Sequence, residues 1–238
     1  MSKTRVTLLT VLSVFAVAAV SASAAMADVG QEFVYAEKAA KLGIKGKSAA
    51  ATLKAGTNVV NCTSSSTIGK LEGTTKVTAV VVTFTGCTSS KGACSKKAIH
   101  SVGAAAGTIV TKSLKGELGE GVTQASINGK VVLLLEPPEN AETLKEFVTL
   151  EANECTIKTQ VTGTIAGVVE KTGAKIKVGA TRNLVFAEEG GKQQVTALER
   201  SVGDALVKTG LKAFGEVATQ VVTAAIGFEQ EMEITAGA

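Results

Sequence analysis

The chain is 238 residues long and carries 25 Lys and Arg against 21 Asp and Glu, with one His, for a formal net charge of +4. It has no Trp and one Tyr, so it lacks the aromatic platforms on which sugar rings and unstacked bases are held. Apart from the adjacent Lys96-Lys97 its lysines are scattered singly, which excludes a basic stripe for nucleic acid.

In chain order, Lys3 and Arg5 precede an uncharged run from Val6 to Val20, and small residues follow. That is the three-part pattern of a secretory signal. Ala22-Ser23-Ala24 and Ala25-Met26-Ala27 both offer the small-x-small pattern of a cleavage site, and a cut after Ala27 leaves Asp28 as the new N-terminus. The apolar run is shorter than the roughly 20 residues needed to cross a bilayer, and no second apolar span follows. Residues 1–27 are therefore expected to be a signal peptide. The mature chain is expected to have no membrane span and to be secreted or held in the cell envelope. Loss of Lys3 and Arg5, with no acidic residue in the removed segment, takes the formal charge from +4 to +2.

Residues 28–47 form an N-terminal segment whose packing the sequence does not define. Within 31–42, Phe33, Ala36 and Ala39 or Ala40 recur at helical spacing, but the stretch reads as short or strand-like. From residue 48 onward, short β-branched runs alternate with Gly, Asn, Ser and Thr, the pattern of strands and turns. The runs are 50–54, 58–63, 67–71, 76–84, 107–111, 129–135, 146–151, 156–161, 164–170, 174–178, 183–187, 194–198, 217–223 and 227–235. The clearest is 76–84, in which Val77, Ala79 and Val81 alternate against Thr78, Val80 and Val82, so both faces are expected to be covered. Residues 204–218 bring Leu206, Leu211 and Phe214 to a helical spacing that Gly210 and Gly215 weaken, and also read as strand-like. Runs at about ten-residue intervals predict an all-β protein with little helix, a sandwich or barrel of antiparallel sheets. Pro137-Pro138, the only prolines, mark a loop that divides the chain into two β halves, 48–136 and 141–238, or interrupts one continuous domain.

Cys62, Cys87, Cys94 and Cys155 give an even count in an exported chain, which favours two disulfides over metal ligation or thiol chemistry. A single His and the C-x6-C spacing fit zinc poorly, and no metal or cofactor is expected. Three pairings are open. The polar stretch TSSKGA between Cys87 and Cys94 favours a short staple there, leaving Cys62 to join Cys155. Cys62-Thr63 before Thr67-Ile68-Gly69, and Cys155-Thr156 before Thr164-Ile165-Ala166-Gly167, hint at a duplication that such a link would tie together.

Chemically reactive groups are few. His100 is the sole candidate for a His-based general base, and Asp28 and Asp204 are the only Asp residues of the mature chain; a surface histidine is expected. Glu188-Glu189, Glu229, Glu231 and Glu233 are candidates for a carboxylate pair of the glycosidase kind, although Glu229, Glu231 and Glu233 alternate as the wet face of a strand would. No calcium loop or phosphate-cradling glycine loop is present.

Asn61-Cys62-Thr63-Ser64-Ser65-Ser66, Val80-Val81-Val82-Thr83-Phe84-Thr85-Gly86-Cys87, Cys94, the stretch 107–119 (GTIVTKSLKGELG) and the closing Met232-Glu233-Ile234 together resemble a group of uncharacterised exported proteins of high-GC Gram-positive, actinobacterial soil bacteria. The likeness covers residues 48–236 and implies export, β-structure and paired cysteines, and it says nothing of chemistry. The function expected is that of a non-catalytic secreted or cell-envelope β-protein with a structural or binding role and a partner at the cell surface or outside it. The alternative is a secreted hydrolase using paired Glu residues.

Overall fold

The structure, a computed structural model, describes residues 30–35, 42–90, 94–122, 124–138, 145–155, 157–201 and 203–236. The expected signal peptide lies outside the described residues. Every regular element among those described is a β-strand, as the wealth of Val, Thr and Ile demands.

The strands assemble into staves. β1 (Phe33–Tyr35) stands apart. β2 (Leu42–Ser48) and β3 (Ala51–Ala55) run end to end as the first stave and turn back at Gly56 and Thr57 into the second, β4 (Asn58–Cys62) with β5 (Ser64–Glu72). Register along this hairpin is unbroken: Leu42 faces Leu71, Ser48 faces Ser65, Ala51 faces Cys62 and Ala55 faces Asn58. β6 (Lys76–Thr85) and β7 (Thr88–Ser89) form the third stave. β8 (His100–Ser101), β9 (Ile109–Val110) and β10 (Leu114–Gly121) form the fourth. β11 (Val131–Glu136) and β12 (Glu146–Ala152) form the fifth, and β13 (Ile157–Val169) is the sixth. The seventh starts with β14 (Thr181–Phe186), leaves the wall for β15 (Glu188–Glu189), β16 (Lys192–Gln193), β17 (Ala197–Glu199) and β18 (Val207–Lys208), and resumes with β19 (Gly210–Ala213). β20 (Glu216–Phe228) is the eighth, and β21 (Met232–Ile234) follows it.

Each stave pairs antiparallel with the next, and the eighth returns to the first, with Ala218 facing Ala55 and Ala224 facing Ser48. The wall is therefore a closed up-and-down barrel, an architecture that leaves no open sheet edge in the ring. Closure explains why the proline loop divides nothing: β11 and β12, on either side of it, pair with the same β13. Strands before that loop also hydrogen-bond with β20 far beyond it. The N-terminal segment 28–47 contributes β1 and most of β2 to the fold.

Alternation fills the lumen with Ile44, Val77, Leu114, Ile165, Leu184 and Val222, while Lys45, Lys47, Lys70 and Lys158 point outward. Stave three departs from the simple alternation of its sequence. Ala79 adopts φ +50° beside the register shift between Ile68 and Lys70, so Val77, Val80, Val82 and Phe84 all reach the inside. One bulged residue switches parity, and the outward Thr78, Val81 and Thr83 remain partly exposed rather than covered. Gly116 is required where stave four crowds stave five, since a Cβ there would lie 2.3 Å from the Leu134 carbonyl oxygen.

Two additions complete the molecule. β1 and β21 pair, Phe33 opposite Ile234, and with Ile176 bridged to Met232 they strap one end of the barrel. On the outer wall, Val132, Leu134, Ala166 and Val168 form an apolar patch that Ile127 and the excursion residues Val195, Leu198 and Val207 cover. Residues 174–178, expected as a strand, supply only the Ile176 bridge. The helix-like stretches 31–42 and 204–218 contain strands where described, β1, the start of β2, β18, β19 and the start of β20; residues 36–41 lie outside the described residues.

All four cysteines are in disulfides, but the pairing expected from spacing is overturned: Cys62 bonds Cys87, and Cys94 bonds Cys155. The reason is register. Ser64 faces Thr85 and Val60 faces Ser89 across staves two and three, which sets Cys62 opposite Cys87, whereas Cys94 is buried against the turn that carries Cys155. Cys94–Cys155 joins loops at the barrel end opposite the strap and links positions on either side of the proline loop. The link imagined between the two Cys-Thr strands does not form.

Candidate functional site

The lumen is apolar and incompletely filled. Three cavities follow one another along the barrel axis, of about 60, 90 and 40 Å³. The first, toward the disulfide end, is bounded by Leu53, Val60, Cys62, Leu150 and Leu211. The middle one is bounded by Val80, Leu135, Ile165, Phe186 and Ala224. The third lies under the strap, among Phe33, Leu118, Val169, Phe228 and Ile234. They are neighbours in a series: Phe84 and Phe147 wall both the first and the second, and Ile44 and Leu133 both the second and the third. Closed strands with inward alternation produce such a row because a lumen of this width is filled by side chains, and fills unevenly where small residues face each other.

Polar groups interrupt this lining at few points. Thr111 and Gln220 border both the first and second cavities, and the Thr111 Oγ1 accepts a hydrogen bond from the Val82 N–H at 3.0 Å. Gln220 faces inward by register, opposite Leu53, while its backbone N–H donates to Gln193 Oε1 at 2.9 Å from the excursion outside.

Arg182 lies in the third cavity's wall. It stands opposite Ile226 on β20 and two residues before Leu184, on the inward parity of β14. Its Nη2 donates to the carbonyls of Ala174 at 3.1 Å and Lys175 at 3.3 Å, and its Nη1 to that of Thr181 at 3.4 Å. Its Nε is shielded from solvent and has no hydrogen-bond partner. Among the described residues no carboxylate forms an ion pair with this guanidinium. The sequence run 183–187 starts two residues after β14 begins at Thr181 and so leaves Arg182 out. Extended by one, the alternation Arg182, Leu184, Phe186 places an arginine on the apolar face.

The residues favoured for chemistry are dispersed. Glu188 is held by Lys54 Nζ at 3.4 Å and by the Thr219 hydroxyl at 3.0 Å, and Glu189 by the Ser126 hydroxyl at 3.0 Å. Glu229 lies 3.8 Å from Lys45 and accepts from the Gly43 N–H, and Glu231 lies 3.5 Å from Lys175. His100, expected at the surface, is buried on β8 with Nε2 3.5 Å from Glu151 Oε1, because the bridge from Thr88 to Ala98 draws its segment into the wall. Among the described residues no group of three or more His, Cys, Asp or Glu side chains is placed to hold a metal ion.

The carboxylates with the clearest environment lie on the outer wall. Burial pushes the Glu136 carboxyl up, but Lys145 at 2.9 Å and Lys115 at 3.5 Å outweigh it and hold the group below its ordinary value. Glu146 behaves alike: burial raises it, and hydrogen bonds from Thr149 and Lys112 lower it further than burial lifts it. Both are structural clamps across stave boundaries rather than groups facing a cavity with a partner carboxylate.

Fold and site thus define a closed antiparallel barrel with an apolar lumen and paired cysteines. No protein-family model matches the chain, and neither a curated protein nor a solved structure matches it.

Proposed function

We propose that this chain is an exported, non-catalytic binding protein that takes a slender apolar molecule into its barrel. The observation that carries this reading is the row of apolar cavities along the lumen. Empty apolar cavities stay dry and accept apolar guests, and each methylene moved into one gains about 0.8 kcal/mol. Export is supported by the signal-like N-terminus and by two disulfides, and no helix among the described residues is long and apolar enough to cross a membrane. A membrane-inserted barrel would turn apolar residues to lipid and polar ones to its lumen; here the lumen is apolar and lysines stud the outside.

The test is binding of a neutral alkyl probe, 1-dodecanol, to oxidised protein by native mass spectrometry and by displacement of an uncharged solvatochromic dye. One equivalent is expected to bind. Ala224→Leu, which occupies the middle cavity, is expected to weaken binding at least tenfold with an unchanged circular-dichroism spectrum. Failure of folded wild-type protein to bind, or an Ala224→Leu affinity equal to wild type, overturns the reading.

A further inference from the structure

We propose that the ligand is a single-chain aliphatic carboxylate, and that Arg182 receives its carboxylate under the strap while the alkyl tail runs back along the lumen. The inference rests on the apolar-ligand reading above and adds the chemistry of the head group. Arg182 is half-buried, with its Nη groups in exposed hydrogen bonds and its Nε shielded from solvent, and a shielded donor is costly until it is matched. Arg182 is matched in part. Three contacts go to the backbone carbonyls of Ala174, Lys175 and Thr181, which are dipoles and carry no net charge. The Nε donor is buried without a partner, and among the described residues no carboxylate answers the charge.

The surroundings narrow the anion. Its tail must be apolar, because Phe33, Leu118, Val169, Phe228 and Ile234 share the cavity with Arg182. One outstanding donor suits a carboxylate oxygen better than a phosphate, whose several oxygens each need partners. The cavities, of about 60, 90 and 40 Å³, suit one alkyl chain rather than the two of a phospholipid. Ile44 and Leu133 border both the third and the middle cavities, so the tail would run past them from Arg182 toward Thr111 and Gln220.

The experiment compares dodecanoate with 1-dodecanol on full-length oxidised protein at neutral pH, for wild type, Arg182→Met and Arg182→Lys. Wild type is expected to prefer the carboxylate by tenfold to a hundredfold, as a charge-assisted hydrogen bond predicts. Arg182→Met is expected to lose that preference and Arg182→Lys to keep part of it, with circular dichroism and the melting temperature reporting whether each variant is folded. The wild-type preference stands as a measurement without any variant. Equal wild-type affinity for acid and alcohol, or a preference that survives Arg182→Met, overturns the assignment and leaves the apolar-ligand reading intact. Wild type that binds neither probe removes both.

Discussion

Cys62 and Cys87 sit directly opposite each other across the hairpin that turns near Gly73, with Cα atoms 3.9 Å apart. The bond therefore cross-links two strands already in register, while Cys94–Cys155, with Cα atoms 5.8 Å apart, joins two loops 61 residues apart in sequence. Non-reducing peptide mapping is expected to return these two pairs. On the loop-entropy relation, removing Cys62–Cys87 costs roughly 3 kcal/mol and removing Cys94–Cys155 roughly 4 kcal/mol. Chemical denaturation of the two Cys→Ser double variants checks the order; a Cys87–Cys94 peptide in native material contradicts it.

The outer-wall clamps predict an acid-sensitive barrel. Glu136 and Glu146 are held below the ordinary carboxylate value of 4.5 in the folded protein, so the unfolded chain binds their protons first. Their contribution is present above about pH 4.5 and is lost as pH falls through the lower folded values. Urea midpoints from pH 7 to pH 3 are expected to drop most steeply below 4.5, and Glu136→Gln to flatten that slope while lowering stability at pH 7. A slope unchanged by Glu136→Gln refutes the role given to its lysines.

Gly116 is where staves four and five come closest. An alanine Cβ at that position meets the Leu134 carbonyl oxygen at 2.3 Å and Val77 Cγ2 at 2.8 Å, contacts that only a shift of backbone relieves. Gly116→Ala is expected to cost about 1 to 3 kcal/mol, read as a lowered melting temperature. Gly73→Ala, with open space around it but φ +67°, is expected to cost less.

Leu198 anchors the excursion to the outer wall and is fully buried there. Leu198→Ala is expected to lose about 2 to 5 kcal/mol, whereas Val178→Ala, at a side chain 65% exposed, is expected to stay within about 0.5 kcal/mol. Hydrogen exchange along β17 and β18 is expected to quicken in the first variant and not in the second. Equal stability of the two variants contradicts the covering role of the excursion.

Local chemistry made the all-β class readable from sequence: Val, Thr and Ile spaced by turn residues form strands whatever their partners, so most runs from 50–54 to 217–223 coincide with strands. Two of the longer strands escaped because glycine hides their alternation. LGIKGKS at Leu42–Ser48 and LKGELGEG at Leu114–Gly121 put glycine on the faces where a packed side chain would reveal the period. Paired sulfur and the scarcity of reactive groups were likewise matters of composition, and the expectation of export rests on order along the chain.

Tertiary structure decided what depends on register between strands distant in sequence. Ring closure through β20, the Cys62–Cys87 bond, the parity switch at Ala79 and the arrival of Arg182 at the end of an apolar lumen all follow from which residue stands opposite which. A shift of one position turns every side chain to the other face, and hydrophobic pattern alone does not fix that choice across loops of variable length. The identity of the residues was enough to specify sheets; only their closure into a barrel made an inside.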